Sequence, residues 1–290
     1  RLFADNGFPF ANLRIRDLLE SKNLEHYIKV INAIQPTSPF GQINGSKGDI
    51  KLSLRVDNIV ASGGWHADFI PRGSNYPRDE TLLRESAKIL IYSNNVIQKH
   101  RSIVEVCKDV FADSVKDDCS FEEMDRSVVR YFTFHEISEA IARIKYTGYE
   151  DRLGHMADEV REIYSYLIGT KSASVQVLKG VLSTEDYKYI LLTLLASAVS
   201  EWFIGKDEES GLRVYSDGYV VALNYFLKDG SISINDNNKL EVDLHKLYSS
   251  IESLSLILGQ LMMSGNEQDA SKFFDSHSEI EKVSKLTNSF

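Results

Sequence analysis

The stretch "YFTFHEISEAIARIKY" (residues 131–146) decides how the rest of the chain is read. Just upstream, "DDCSFEEM" supplies Ser120 with Glu123 three residues on, the signature of a capping box. A helix is therefore predicted over 121–145. On it His135 and Glu139 stand four residues apart and share a face. Glu136 lies about 100° round the axis from His135. This is the layout of the zinc-peptidase motif H-E-x-x-H, in which two stacked ligands hold the metal and the glutamate takes a proton from metal-bound water. Here Glu139 stands where the second histidine belongs. Zinc accepts carboxylate as well as imidazole, so His135 and Glu139 can hold it if a third ligand arrives. The following helix offers His155, Asp158, Glu159 and Glu162. Two considerations weigh against a metal. Charged residues on a helix are ordinarily a solvated face, and a second carboxylate ligand weakens the metal's pull on bound water.

Outward from this helix, the chain divides into recognisable pieces. Residues 12–34 carry apolar residues at helical spacing, and the Pro-, Gly- and Ser-rich stretch 35–49 reads as a loop. "DIKLSLRVDNIVA" (49–61) alternates like a half-buried strand. Residues 62–79 read as irregular and place Trp65, His66 and Asp68 on a loop, where Trp65 is expected to plug the core. "ETLLRESAKILIYSN" reads as a short helix turning into a strand near 88–92, and 95–111 is helical. Gly148 and Gly154 bracket a break. A second helix over 155–169 ends at Gly169 as a C-cap. A buried helix over 183–205, capped by Ser183 or Thr184, and another over 217–230 follow. Residues 231–243 form a hairpin with an Asn-rich turn. Helices over 244–265 and 267–278 close the chain. His100, His245 and His277 read as structural or exposed, and Met262 and Met263 as core filler. The class is α+β, mainly α, with a few strands and a small hairpin. The expected division is an N-terminal helical and loop segment over 1–48 and one domain over 49–290.

Bulk properties bound the function. The 290 residues are 43 % hydrophobic and 10 % aromatic, enough for a substantial core. The net charge of −9 argues against a phosphate-backbone binder, so no nucleic-acid partner is expected. The most apolar stretch, 189–204, is too short for a membrane span and contains Glu201, so no membrane partner is expected either. Cys107 and Cys119 lack metal-type spacing and fit a reducing compartment, hence a cytoplasmic location; a single disulfide in a secreted protein is the alternative. The chain begins "RLFADNGFPF" without an initiator Met, which predicts a fragment or a processed product.

Several segments, in order, resemble the dipeptidyl peptidase III family of zinc peptidases, particularly its Nudix-associated bacterial branch. "SNYPRDETLLRESAKILIYSNNVI" (74–97) resembles the family's Asn-Pro-Asn/Asp-rich segment, and "FTFHEISEA" (132–140) resembles its zinc helix. "ADEVREIYSYLIG" (157–169) resembles the downstream Glu-Glu-Ala-Arg/Lys-Ala-Asp helix, whose second Glu is the third zinc ligand. "GYVVALNYFLKDGSISI" resembles a later helix and strand. The likeness runs from about residue 40 to residue 280. It implies a helical zinc-peptidase-like domain with zinc held by His135, Glu139 and Glu159, and Glu136 as the catalytic base. The departures are the lost second histidine and the lost Gly-rich continuation, replaced by "AIARIKY". Ile163 also stands where the family has Asp. Three readings stay open: an active zinc peptidase; a pseudoenzyme that binds a peptide or protein, its motif residues paired with each other or with Arg161 and Arg143; and an unrelated fold with a chance motif.

Overall fold

Alternation along the strands builds the first layer. The computed structural model describes residues 2–5, 8–18, 21, 52–64, 72–76, 80–116, 121–205 and 213–287. Strands β1 (Leu2–Asp5), β2 (Phe8–Arg16), β3 (Leu52–Gly64), β4 (Gly73–Tyr76) and β5 (Ala87–Tyr92) form one sheet in the order β1-β2-β3-β5-β4. All pairings are antiparallel except β3 with β5. The parallel pair needs a crossover, and β4 with the short helix α1 (Glu80–Glu85) provides it. In β3, Leu54 and Val56 are buried while Ser53 and Arg55 are exposed. In β5, Ala87, Ile89 and Ile91 point inward. Burying each of these Leu, Ile and Val side chains contributes roughly 1.5–3 kcal/mol.

Helices cover that inward face. They are α2 (Ser93–Val110), α3 (Asp113–Lys116), α4 (Phe121–Lys145), α5 (Tyr149–Leu153), α6 (Ala157–Leu178), α7 (Thr184–Gly205) and α8 (Arg213–Asp229). After the two-stranded hairpin β6 (Ile232–Ile234) and β7 (Leu240–Val242) come α9 (Leu244–Ser264), α10 (Glu267–Asp275) and α11 (Ile280–Ser284). Helix α4 is central, packing on α2, α6, α7 and the strands β4 and β5. Helix α6 packs in turn on α4, α8 and α9. One core runs through both layers, from Val56 and Ile91 to Phe134, Leu167 and Leu195. The mainly helical α+β class is what the chain adopts.

Local chemistry fixes the ends. Ser183 Oγ accepts from the Asp186 N–H (3.0 Å), and Asp186 Oδ2 accepts from the Ser183 N–H (3.0 Å), a reciprocal cap at the start of α7. Asp186 also pairs with Arg130 of α4. In the hairpin turn, Asn235 Oδ1 accepts from the N–H groups of Asn237 and Lys239, and Asn238 takes the left-handed φ of 58° that asparagine tolerates.

Several expectations need correction. Residues 12–16 belong to strand β2, not to a helix. Within 62–79, β3 continues to Gly64 and Gly73–Tyr76 is an edge strand. Helix α6 does not stop at Gly169 but runs to Leu178. Met263 is exposed, whereas Met262 is core. His100 is buried. Trp65, His66, Asp68 and Ser120 lie outside the described residues. Among the described residues, no helix is long and apolar enough to cross a membrane.

Candidate functional site

The motif residues of α4 meet α6 at a buried contact between the two helices. Their approach is close because α6 has a glycine there: a methyl group at Gly169 would lie 2.8 Å from the Phe134 carbonyl carbon. On α6, Glu162, Tyr166 and Gly169 recur at four- and three-residue steps and so share the face toward α4. Tyr166 stacks on the His135 ring with centroids 3.7 Å apart. Glu162 Oε2 lies 3.6 Å from His135 Nε2.

Strand β4 closes the site from the sheet side. Gly73 brings the strand so near that a methyl there would lie 2.9 Å from Glu136 Oε1. Two residues on, Asn75 Nδ2 donates to Glu136 Oε2 (2.7 Å) and to Glu139 Oε2 (3.0 Å), holding both carboxylates with one amide. Arg161 enters from α6. Its Nη2 donates to Glu162 Oε1 (2.8 Å) and its Nη1 to Asp158 Oδ1 (2.5 Å). Its Nε lies 3.3 Å from Glu139 Oε1.

Electrostatics follow from this packing. His135 is held well below the ordinary imidazole value, by burial first and then by Arg72 and Arg161, so it is neutral at pH 7. Glu136 is pushed well above the carboxylate range by burial, with Glu139 and Glu162 adding to the shift and Arg72 opposing it. Glu162 is pushed up to about 7 by burial and Glu139, against the pull of Arg161. Burial pulls the Arg161 value down, but Glu162 and Glu139 outweigh it, so the guanidinium stays charged.

The structure thus gathers His135, Glu136 and Glu139 in one place and adds Asn75, Arg161 and Glu162. It does not bring Glu159 there. Glu159 and Glu162 are three residues apart, which puts them about 60° apart around the axis. Gly218 of α8 packs against the Ile163 side chain and the Glu159 backbone carbonyl. Burial raises the Glu159 carboxyl, and its acidic neighbours are Asp158 and Asp217. His155 is also elsewhere, largely exposed and 2.9 Å from Glu267 Oε1. The Glu162-Tyr166-Gly169 spacing is the signal in the sequence that could have picked Glu162 over Glu159.

These residues do not make a closed zinc site. Zinc needs at least three protein donors around one point. Among the described residues, no three His, Cys, Asp or Glu groups are so placed. Two of the nearby carboxylates, Glu139 and Glu162, are instead engaged by the Arg161 guanidinium, a fixed positive charge that opposes a dication.

Comparison with known proteins agrees with the fold. No protein-family model matches the chain, and no curated protein matches it. Among solved structures, dipeptidyl peptidase III from Caldithrix abyssi superposes with a TM-score of 0.81 at 18 % identity, over 96 % of this chain and 54 % of that one. Dipeptidyl-peptidase III from Corallococcus sp. strain EGB gives 0.78 at 21 % identity, over 96 % and 52 %. The chain spans about half the length of these structures. Across that span it has a dipeptidyl peptidase III-like fold.

Proposed function

We propose that the protein is a metallopeptidase-like module that binds a peptide or protein segment without hydrolysing it. The observation that carries this reading is the Arg161 guanidinium set between Glu139 and Glu162. Peptide hydrolysis by such a site needs a metal to lower the pKa of the attacking water and a carboxylate to accept its proton. The arginine opposes the first requirement. The second is weakened as well: Glu136 is pushed well above the carboxylate range by burial and two neighbouring acids, so it ionises less readily than a free carboxylate. The fold supports the binding half of the proposal, because its solved neighbours are named as dipeptidyl peptidases. In this reading His135, Glu136 and Glu139 hold α4 against α6 and β4, and no zinc is held.

The test is metal content together with turnover. The purified protein is dialysed against zinc, assayed for bound metal, and supplied with dipeptidyl-arylamide substrates. The expected result is far less than one zinc per chain and no arylamine release, with peptides of similar length still binding in calorimetry. One zinc per chain, with dipeptide release that Glu136→Gln abolishes, would overturn the proposal. It would also return His135, Glu139 and Glu159 to consideration as ligands.

A further inference from the structure

We infer that the outer edge of strand β6 is a docking site for an extended acidic peptide segment, which joins the β6–β7 hairpin as a third strand. The site shares no residue with the contact between α4, α6 and β4 and stands independently of the reading above.

The hairpin has two outer edges, and its surroundings treat them differently. Along β7, the Ala112 N–H donates to Leu240 O (3.0 Å), and Phe111 forms a bridge with Leu240. The Lys239 ammonium adds a bond to the Asp109 carbonyl. Along β6, Ser231 and Asn235 turn their backbone toward β7: the Asp243 N–H donates to Ser231 O (2.9 Å) and the Asn235 N–H to Lys239 O (2.9 Å). Antiparallel ladders alternate residue by residue, and Ser233, opposite Glu241, keeps the same phase. Ile232 and Ile234 therefore direct their N–H and C=O groups to the other edge. Among the described residues no strand pairs there. An unpaired row of this kind is a template for one more strand.

A cavity of about 570 Å³ lies against β6. Leu227, Ile232 and Ile234 give it an apolar lining, and Lys282 of α11 and Lys285 just beyond it supply two ammonium groups. Asp236, at the hairpin turn, is the only acid among the lining residues. The chain as a whole carries a charge of −9, so two lysines against one acid reverse the sign locally. Lys282 also pairs with Glu279 at 3.0 Å, but the two side chains are 62 % and 58 % exposed, and water weakens such a bond. The edge is held ready. The Ser231 N–H donates to Phe226 O (3.1 Å), and Asn235 Oδ1 fixes the turn by accepting from the Asn237 and Lys239 N–H groups. A ligand meeting β6 thus finds the strand already in place, which lowers the ordering cost of binding. The occupant that satisfies backbone groups, an apolar lining and two ammonium groups together is an extended polypeptide alternating acidic and apolar residues.

The experiment titrates the 290-residue protein into a fluorescein-labelled, C-terminally amidated peptide Glu-Val-Glu-Val-Glu and reads anisotropy. Hydrogen exchange with and without the peptide locates it on the protein. Wild type should bind, and added salt should weaken the complex. Lys282→Glu combined with Lys285→Glu should bind roughly tenfold or more weakly, because like charges then face the peptide. The bound peptide should slow amide exchange over residues 232–234. Both lysines are exposed, so the double variant should melt with wild type. If it does not fold, Lys282→Gln combined with Lys285→Gln adds no acid beside Glu279 and should show the same loss in smaller measure. Absence of binding by wild type overturns the inference and leaves the lysines as guards of an open edge. Binding that survives both pairs of substitutions also overturns it. So does protection confined to β4 and α4, and that result would support the reading above instead.

Discussion

Glu136 occupies a position where ionisation is hard to sustain. It is almost fully buried, its nearest like charges are Glu139 on its own helix and Glu162 on α6, and only Arg72 opposes them. The neighbouring His135 is neutral and contributes no positive charge. The folded protein therefore keeps a proton at a pH where the unfolded chain, with a carboxyl near 4.5, has released it. By linkage, stability falls as pH rises from about that value through the raised one. Glu136→Gln removes the titration while still accepting from Asn75 through its amide oxygen. At pH 5 the variant should unfold at the same urea concentration as wild type. At pH 8 it should be the more stable of the two, by on the order of 1–3 kcal/mol, the usual penalty for a poorly compensated buried group. Parallel stability-versus-pH curves for the two proteins would show that Glu136 is ionised in the fold.

At the scale of elements, α6 shows where pattern reading succeeds and where it stops. Helix α4 runs over the span its cap residues announce, and β3, β5 and the 231–243 hairpin follow their alternation. Gly169 looks like a stop because glycine ends helices, yet here it is a contact point in the middle of one. No local signal separates those two uses; only the position of α4 does. The prediction is direct. Gly169→Ala raises intrinsic helix propensity by about 1 kcal/mol, but the added methyl meets backbone at 2.8–2.9 Å. Overpacking should win, with a net loss of roughly 1–3 kcal/mol in chemical denaturation. A stabilised variant would mean that the two helices are not so close. Strand β2 was hidden for a different reason. Leu13 and Ile15 alternate with Arg14 and Arg16, but the apolar pair faces outward, at 64 % and 63 % exposure. Arg14 turns inward to the Tyr92 hydroxyl (3.2 Å) and the buried Asp57 carboxylate. The hydrophobic pattern is inverted, so periodicity cannot find the face. The family resemblance points to Glu159 rather than Glu162 because a motif carries no information on the orientation of one helix against another.

Across the whole molecule, the site depends on the sheet and the helices holding register, and Arg72 ties them together. It stands just before β4, the strand that delivers Gly73 and Asn75 to Glu136. Its Nη1 donates to Glu201 Oε1 of α7 (2.7 Å) and contacts His100 Nε2 of α2 (3.1 Å). Its guanidinium lies 5.1 Å from the centre of the Phe132 ring on α4. One side chain at the sheet edge thus reaches three helices. The Glu201 side chain is only 13 % exposed, so losing its partner strands a charge with little water to solvate it. Arg72→Met, which keeps the aliphatic stem, should cost about 3–5 kcal/mol, the range for breaking a buried pair from one side. Adding Glu201→Gln should return more than half of that loss, a coupling that a double-mutant cycle reads directly. Because β4 is anchored at this point, Arg72→Met should also weaken peptide binding. A variant with full stability, or a cycle with no coupling between positions 72 and 201, would show that the sheet and the helical layer are held together by apolar packing alone.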